Sequence, residues 1–168
     1  MAENLRVIVG VNGSARSVAA LHRAVGEARS RGAVLVPVHA WHPVGGELAY
    51  RSSPCPPLLA VWEQAARKRL DDTFEQAFGG YPTDLRIEPE LVREEQPGRA
   101  LVAVADRPDD LLVVSTGKQG RLQRFFHGAV ARYCLSHARC TVASVPPSEL
   151  PQQGESFARP KALAALAA

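Results

Sequence analysis

The stretch LLVVSTGKQGRLQRFFHGAVARYCLSHARCTVASVPP, residues 111–147, decides the fold class of this chain. It opens with the uninterrupted apolar run 111–114, which is typical of a strand buried on both faces of a parallel sheet. Apolar side chains then recur at helical spacing over residues 129–138, and a second apolar run follows at 140–145. The stretch therefore predicts a strand, a glycine-containing loop, a helix and a second strand, which form one complete crossover unit.

The loop inside this unit has the composition of an anion site. It contains Gly117 and Gly120 together with the cations Lys118, Arg121 and Arg124. Backbone N–H groups and cationic side chains can converge there on one point, as a phosphate requires. A plainer interpretation stays open, because glycines also serve any tight strand-to-helix turn by adopting positive φ.

The amino-terminal part of the chain repeats the alternation of strand and helix. Residues 6–11 form a short run rich in β-branched side chains, which stops at Asn12 and the glycine after it. Apolar residues at helical spacing follow as far as Gly32. Residues 33–40 then predict a second strand, in which Pro37 fits an edge position or a bulge better than the centre of a sheet.

The middle of the chain contains a long loop and a long helix. Residues 41–58 are rich in proline and include adjacent glycines and adjacent serines, so they predict an irregular loop, either a surface excursion or a lid. Residues 59–78 carry one apolar stripe and predict an amphipathic helix. A third strand is expected over residues 85–91, and a short helix between Gln96 and Arg107.

These elements add up to five strands and four helices. Their order predicts an α/β fold with a doubly wound, mostly parallel five-stranded sheet and helices on both faces, in the Rossmann-like manner. A chain of 168 residues with 46% hydrophobic content suits one domain, which we expect to span residues 1–147. Residues 148–168 lose the periodicity and predict a flexible carboxyl-terminal tail.

Composition excludes several classes of protein. The formal charge of +3 includes no block of like charges, so we expect no nucleic-acid partner. We expect no membrane span and no signal peptide, and hence a cytoplasmic protein, because no apolar run reaches the required length. The three cysteines form no CxxC pair and suggest reduced thiols.

Several of these segments resemble the universal stress protein family. Its carboxyl-terminal signature is Gly, two residues, Gly, nine residues, Gly, then Ser or Thr, and residues 117–120 match the first half. Gly128 matches the later glycine after seven residues instead of nine, and Ala129 stands at the hydroxyl position. Residues 7–14, VIVGVNGS, resemble the family's opening strand and turn, with Asn12 in place of the usual aspartate. His39 and Ala40 resemble its His-Val pair.

The resemblance implies a fold like that of the adenine nucleotide alpha hydrolases and a site for an adenine nucleotide. It places Asn12 and the backbone of Ala40 beside the adenine and its ribose. It surrounds the phosphates with the loop glycines, the loop cations and the start of the following helix: Gly117, Lys118, Gly120, Arg121, Gly128 and Ala129. ATP is the cofactor that the resemblance suggests, and no other cofactor is called for.

The departures from the signature predict weakened binding. Asn12 is neutral and offers one acceptor oxygen, and Ala129 offers no hydroxyl. Each lost interaction costs roughly 1 kcal/mol, so together they predict about a thirtyfold loss of affinity. The shortened loop also moves the helix N-terminus relative to the phosphates.

Three function classes follow. The resemblance implies a non-catalytic stress-response regulator that forms a homodimer through the final strand, binds adenine nucleotides weakly or not at all, and acts on unknown protein partners. The first alternative is an ATP-binding sensor or slow ATPase of the same family. The second is a small doubly wound enzyme or electron-transfer module that shares only the topology.

No catalytic or metal constellation stands out in the sequence. His39 and His42 could pair as metal ligands, as could Cys134 and His137, but no third ligand is placed by spacing. No Ser-His-Asp or paired-carboxylate arrangement is indicated. We therefore expect neither a catalytic residue nor a metal site.

Overall fold

The computed structural model describes residues 5–116 and 128–146, which form a five-stranded parallel sheet in the order β3-β2-β1-β4-β5. The predicted tail, residues 148–168, lies outside the described residues. The strands are β1 (Arg6–Gly10), β2 (Val34–Trp41), β3 (Glu90–Arg93), β4 (Leu111–Ser115) and β5 (Thr141–Val145). The helices are α1 (Ala15–Arg31), α2 (Gly46–Ser52), α3 (Pro56–Phe78), α4 (Pro97–Val104) and α5 (Ala129–His137).

Helices cover both faces of the sheet, which confirms the predicted doubly wound α/β fold. Successive side chains of β1 point to opposite faces, and each face has its own apolar core. Val7 and Val9 pack with α1 and α3, around the fully buried Phe74. Ile8 packs on the other face with α4 and α5, where Leu101 and Cys134 are buried. The near-continuous apolar strands follow from this double burial.

Strand β2 is not at an edge, so the edge position that Pro37 suggested is wrong. Leu35 donates its N–H to the Arg86 carbonyl at 2.9 Å, and alternate residues of a parallel strand face the same neighbour. Pro37 therefore faces the β3 side. On that side, β2 makes an isolated bridge from Leu35 to Ile87, and its ladder with β3 begins only at Val38. Among the described residues, no strand pairing is present between these two points. The missing N–H of Pro37 falls in that gap and costs no ladder hydrogen bond.

The third strand is shorter and later than predicted. Residues 85–91 were expected to form it, but β3 spans Glu90–Arg93, and Ile87 makes only an isolated bridge. Pro89 lies between the two pieces and has no N–H to donate. The proline therefore splits the expected strand.

The prediction of an irregular loop over residues 41–58 is also wrong in part, since α2 lies within it. Gly45 and Gly46 have φ of 85° and 89°, which lets the chain turn into the helix. Glu47 in the first turn then accepts a hydrogen bond from Arg93 at the end of β3, with Nη2 to Oε2 at 2.8 Å. This long-range ion pair anchors α2 over the carboxyl end of the sheet, and local composition could not predict it.

The described helices include none that is long and apolar enough to cross a membrane. The cysteines at 55, 134 and 140 are free thiols. Cys134 is buried against α4, and burial raises its pKa to about 11. This thiol is therefore protonated at neutral pH and acts as a small apolar side chain.

Candidate functional site

The carboxyl ends of β1 and β4 border the candidate site. Beyond β1 the strand order continues to β2 and β3 on one side, and beyond β4 it continues to β5 on the other, so the order reverses between these two neighbours. In open α/β sheets such a switch point opens a crevice for ligands. A cavity of about 200 Å³ lies there. Its walls come from β1, α1, β2, α4, β4 and α5, and include Gly10, Asn12, Ser14, Arg16, Ala40, Leu101, Ser115 and Val130.

Asn12 leads from β1 into the first turn of α1, and its polar atoms organise that turn. Its side-chain oxygen Oδ1 accepts a hydrogen bond from the Ser14 N–H at 3.0 Å. Its own backbone N–H donates to Ser17 Oγ at 3.3 Å. Because the Ser14 N–H is a donor, its partner on the Asn12 amide must be the oxygen, and Nδ2 has no hydrogen-bond partner among the described residues.

Two serines start α1 beside the cavity. Ser14 is the N-cap, and its Oγ accepts from the Ser17 N–H at 3.2 Å. The buried Ser17 returns a hydrogen bond from its hydroxyl to the Ser14 carbonyl at 2.8 Å. These reciprocal bonds satisfy donors that would otherwise be orphaned at the helix start. The first turn of α1 is thus held rigidly at the cavity wall.

His39 fixes the start of the same loop from β2. The Val11 N–H donates to the Val38 carbonyl at 2.8 Å, and the Val11 carbonyl accepts from His39 Nδ1 at 2.7 Å. A carbonyl only accepts, so Nδ1 carries the proton. Burial of the ring lowers the pKa of His39, with a further contribution from the charge of Arg69. A neutral His39 therefore positions Val11 and Asn12, a role that the sequence alone did not reveal.

Ala40, near the end of β2, also lines the cavity. It lies two residues after Val38, whose carbonyl faces β1, so the backbone groups of Ala40 face the same side. The β1 ladder has already ended there, at the Gly10–Val38 pair. The N–H and C=O of Ala40 are therefore directed beyond the end of β1, where the cavity lies. The structure thus brings Asn12 and Ala40, two of the predicted site residues, to one cavity.

The predicted phosphate residues are only in part within the described structure. Gly117, Lys118, Gly120 and Arg121 lie outside the described residues. Gly128 and Ala129 begin α5, and the next residue, Val130, lines the cavity. Gly128 provides no side-chain cap, so among the described residues no side chain caps the first-turn N–H groups of α5 beside the cavity.

Sequence reasoning missed Arg16 and Ser115, which also line the cavity. Ser115 is the last residue of β4, and Arg16 belongs to the first turn of α1. Ser115 directly follows the predicted strand 111–114, so a signal for it was available, whereas nothing in the spacing singled out Arg16, five residues past the predicted end of the first strand. The cavity wall contributed by the described residues includes this one cation and no carboxylate.

The described residues of the cavity present polar groups of several kinds. Within residues 5–116 and 128–146, no three His, Cys, Asp or Glu side chains are grouped as metal ligands. The Ser14 and Ser17 hydroxyls are engaged in the helix start. The part-buried ion pair of Arg6 with Asp110 involves the first residue of β1 and the residue before β4, so it lies at the amino ends of the strands, away from the cavity. The described wall thus offers an amide, a guanidinium, the Ser115 hydroxyl and backbone groups to a polar ligand.

This geometry defines the class of protein: an α/β protein with a doubly wound parallel sheet and a cavity at its switch point. The sequence matches the model of the Universal stress protein family over residues 3–146. The chain therefore belongs to the universal stress protein family, as the motifs predicted. No curated protein sequence matches this chain.

Solved structures with the same fold include other members of this family. The universal stress protein UspA from Lactobacillus plantarum is 20% identical, with a TM-score of 0.60, and the match covers 86% of this chain and 99% of that one. A universal stress protein from Burkholderia pseudomallei is 24% identical, with a TM-score of 0.55, covering 84% and 95%. A universal stress protein in complex with cAMP is 26% identical, with a TM-score of 0.53, covering 84% and 95%.

Proposed function

We propose that this chain is a non-catalytic, cytoplasmic stress-response regulator, which binds an adenine nucleotide weakly in the cavity between Asn12 and Ala40 and acts as a homodimer. The observation that carries the proposal is the shared cavity itself. Asn12 and Ala40 are distant in sequence, and the family resemblance assigns both to the base and ribose. The universal stress protein that was solved with cAMP supports an adenine nucleotide as the ligand class.

The polar groups at the cavity suit this ligand. The backbone N–H and C=O of Ala40 can recognise the edge of a base, as paired donor and acceptor groups do in pockets. First-turn N–H groups of α5 and the positive end of its dipole favour a phosphate. We attribute the weakness to Asn12 and Ala129, which replace an ionic acceptor and a hydroxyl at a cost of about 1 kcal/mol each.

Titration calorimetry with 5′-AMP and ATP on nucleotide-stripped protein tests the binding. We expect saturable binding at micromolar or weaker affinity. Ala40→Phe places a ring between β2 and α4 and should abolish the heat. Ala60→Phe adds the same ring on the exposed side of α3 and serves as the matched control. Binding that survives Ala40→Phe, or the absence of binding in the unmodified protein, would contradict the proposal. Release of inorganic phosphate from ATP above the protein-free rate would contradict the non-catalytic part.

The dimer is proposed from the edge of the sheet. β5 pairs with β4 on one side only among the described strands, and unpaired edges invite strand addition. The Val145 carbonyl accepts from the Thr116 N–H at 2.9 Å, so Val145 faces β4. By alternation, Ser144 directs its N–H outward. A two-fold axis can therefore pair the outward groups of two β5 strands antiparallel.

A proline at this edge provides a selective test of the dimer. Ser144→Pro removes one outward donor and leaves the bonds to β4 in place. We expect light scattering to give a dimer mass for the unmodified protein and for Ser144→Ala, and a monomer mass for Ser144→Pro. A monomer mass for the unmodified protein at micromolar concentration would contradict the proposed dimer.

A further inference from the structure

The end of the cavity nearest α1 has an unusual set of polar groups for a ribose. Asn12 is neutral, and its Oδ1 already accepts from the Ser14 N–H at 3.0 Å. What the Asn12 side chain still offers is Nδ2, which is a pair of donors. Ribose hydroxyls bind well to a carboxylate, since both can donate to it. A donor amide is better matched to an anionic oxygen.

Arg16 reinforces this preference. It lines the same cavity from the first turn of α1, where the helix dipole already makes the potential positive. The guanidinium and the helix dipole act in the same direction, so both favour an anion at this end of the cavity. Elsewhere on α1 the arginines at 23, 29 and 31 each pair with a carboxylate, whereas Arg16 has no ion pair within the described part of the chain. The described cavity wall contains no carboxylate to neutralise it.

We propose that the cavity selects adenine nucleotides that carry a phosphoryl group on a ribose hydroxyl oxygen, the 2′ or the 3′. The guanidinium of Arg16 and the Nδ2 of Asn12 together bind that phosphoryl group. The inference rests on the proposed binding of an adenine nucleotide with its ribose beside Asn12. Dinucleotide-binding folds show the same two alternatives. An acidic residue binds a free ribose hydroxyl in some of them, and an arginine accommodates a ribose phosphate in others.

The test compares adenosine nucleotides that differ in the position, number or cyclisation of their phosphate groups. Calorimetric titration uses adenosine 5′-phosphate, 3′-phosphate, 2′-phosphate, 3′,5′-bisphosphate and the 3′,5′-cyclic phosphate. We expect at least one nucleotide with a 2′- or 3′-phosphoryl group to bind about tenfold or more tightly than 5′-AMP, as an added charge-assisted contact predicts. The three adenosine monophosphates, with the phosphate at the 2′, 3′ or 5′ position, identify which ribose oxygen carries the recognised phosphoryl group.

Three variants assign the preference to the two side chains. The quantity compared is the affinity for the best 2′- or 3′-phosphorylated nucleotide divided by the affinity for 5′-AMP. Arg16→Gln should reduce this ratio to near unity, and Asn12→Asp should reverse it in favour of 5′-AMP. Arg23→Gln changes a cation on the same helix outside the cavity and should leave the ratio unchanged. Thermal melting of each variant checks that the fold is retained.

The outcomes separate this inference from the proposed function. If 5′-AMP binds as tightly as every 2′- and 3′-phosphorylated nucleotide, the inference is overturned and nucleotide binding stands. If the ratio persists in Arg16→Gln, the assignment of the phosphoryl group to Arg16 is overturned. If none of the five nucleotides binds, both the inference and the proposed function are overturned.

Discussion

The buried imidazole of His39 donates a hydrogen bond from Nδ1 to the carbonyl oxygen of Val11 at 2.7 Å, and so joins the loop after β1 to strand β2. The neighbouring Val11 N–H is bonded to the Val38 carbonyl. Both backbone groups of Val11 are therefore engaged by β2. Asn12, the next residue, enters the cavity from a fixed point, so the geometry of the binding site depends on this buried bond.

Removal of the His39 donor should destabilise the protein and disturb the site. His39→Leu leaves the buried Val11 carbonyl without its partner, which costs about 1–3 kcal/mol of unfolding free energy. His39→Asn places an amide N–H near the position of Nδ1 and should lose less. Urea unfolding of the two variants measures the difference. Equal stability of His39→Leu and the unmodified protein would contradict the role assigned to this bond.

The same histidine predicts a pH dependence of stability. Burial lowers the pKa of His39 below its ordinary value of 6.5, so the folded protein binds fewer protons there than the unfolded chain. The contribution of neutral His39 to the unfolding free energy is fully present above the pKa of the histidine in the unfolded chain. It decreases as the pH falls from that pKa through the pKa in the folded protein, by at most about 1.4 kcal/mol per pH unit. The difference in unfolding free energy between the unmodified protein and His39→Asn should therefore shrink on acidification below pH 6.5. A difference that stays constant would contradict a neutral buried His39.

The ion pair at the other end of the sheet predicts a contrast between two aspartates. Arg6 contacts both Asp110 and Asp106, at 2.6 Å and 2.7 Å, but their side chains are 1% and 67% exposed. Asp110→Ala leaves the partly buried guanidinium without its main partner and should cost about 3 kcal/mol, because breaking a buried pair leaves an uncompensated charge. Asp106→Ala should change stability by less than about 1 kcal/mol. Chemical denaturation of both variants checks the contrast, and equal losses would contradict it.

Two helical glycines should respond to alanine with opposite signs. A Cβ on Gly98 would lie 2.9 Å from Cδ1 and 3.0 Å from Cβ of Tyr133, in the contact between α4 and α5. Gly98→Ala should therefore cost about 1–3 kcal/mol, as overpacking does. Gly26 on α1 has no atom within 4 Å of such a Cβ, so Gly26→Ala should stabilise the helix by roughly 0.5–1 kcal/mol. Thermal melting measures both, and a stabilising Gly98→Ala would refute the close packing.

The fold was predictable because its signals are local. The apolar runs at 7–11 and 111–114 identify strands that are buried on both faces, and the helices between them follow from periodicity. The failures come from tertiary contacts. Pro37 is tolerated inside the sheet because its missing donor faces a gap, and α2 is anchored by Arg93, far away in sequence.

The candidate site was only partly predictable for the same reason. The motifs identified Asn12 and Ala40, and the topology brings both to one cavity. Spacing carried no information on the contacts of Asn12 Oδ1 or of His39, which depend on the path of the turn after β1. Arg16 was missed because a lone arginine on a helix usually faces solvent, and its position becomes informative only once the cavity wall is known.

Whether an adenine nucleotide occupies the cavity at the switch point can be read from backbone amide NMR. Uniformly ¹⁵N-labelled protein is titrated with 5′-AMP, and the shifts of assigned backbone amides are mapped on the structure. We expect saturable shifts concentrated at Asn12, Arg16, Ala40, Ser115 and Val130, with none at the distant Arg6 and Asp110. Shifts that do not saturate, or that cluster away from this cavity, would show that the nucleotide does not bind here.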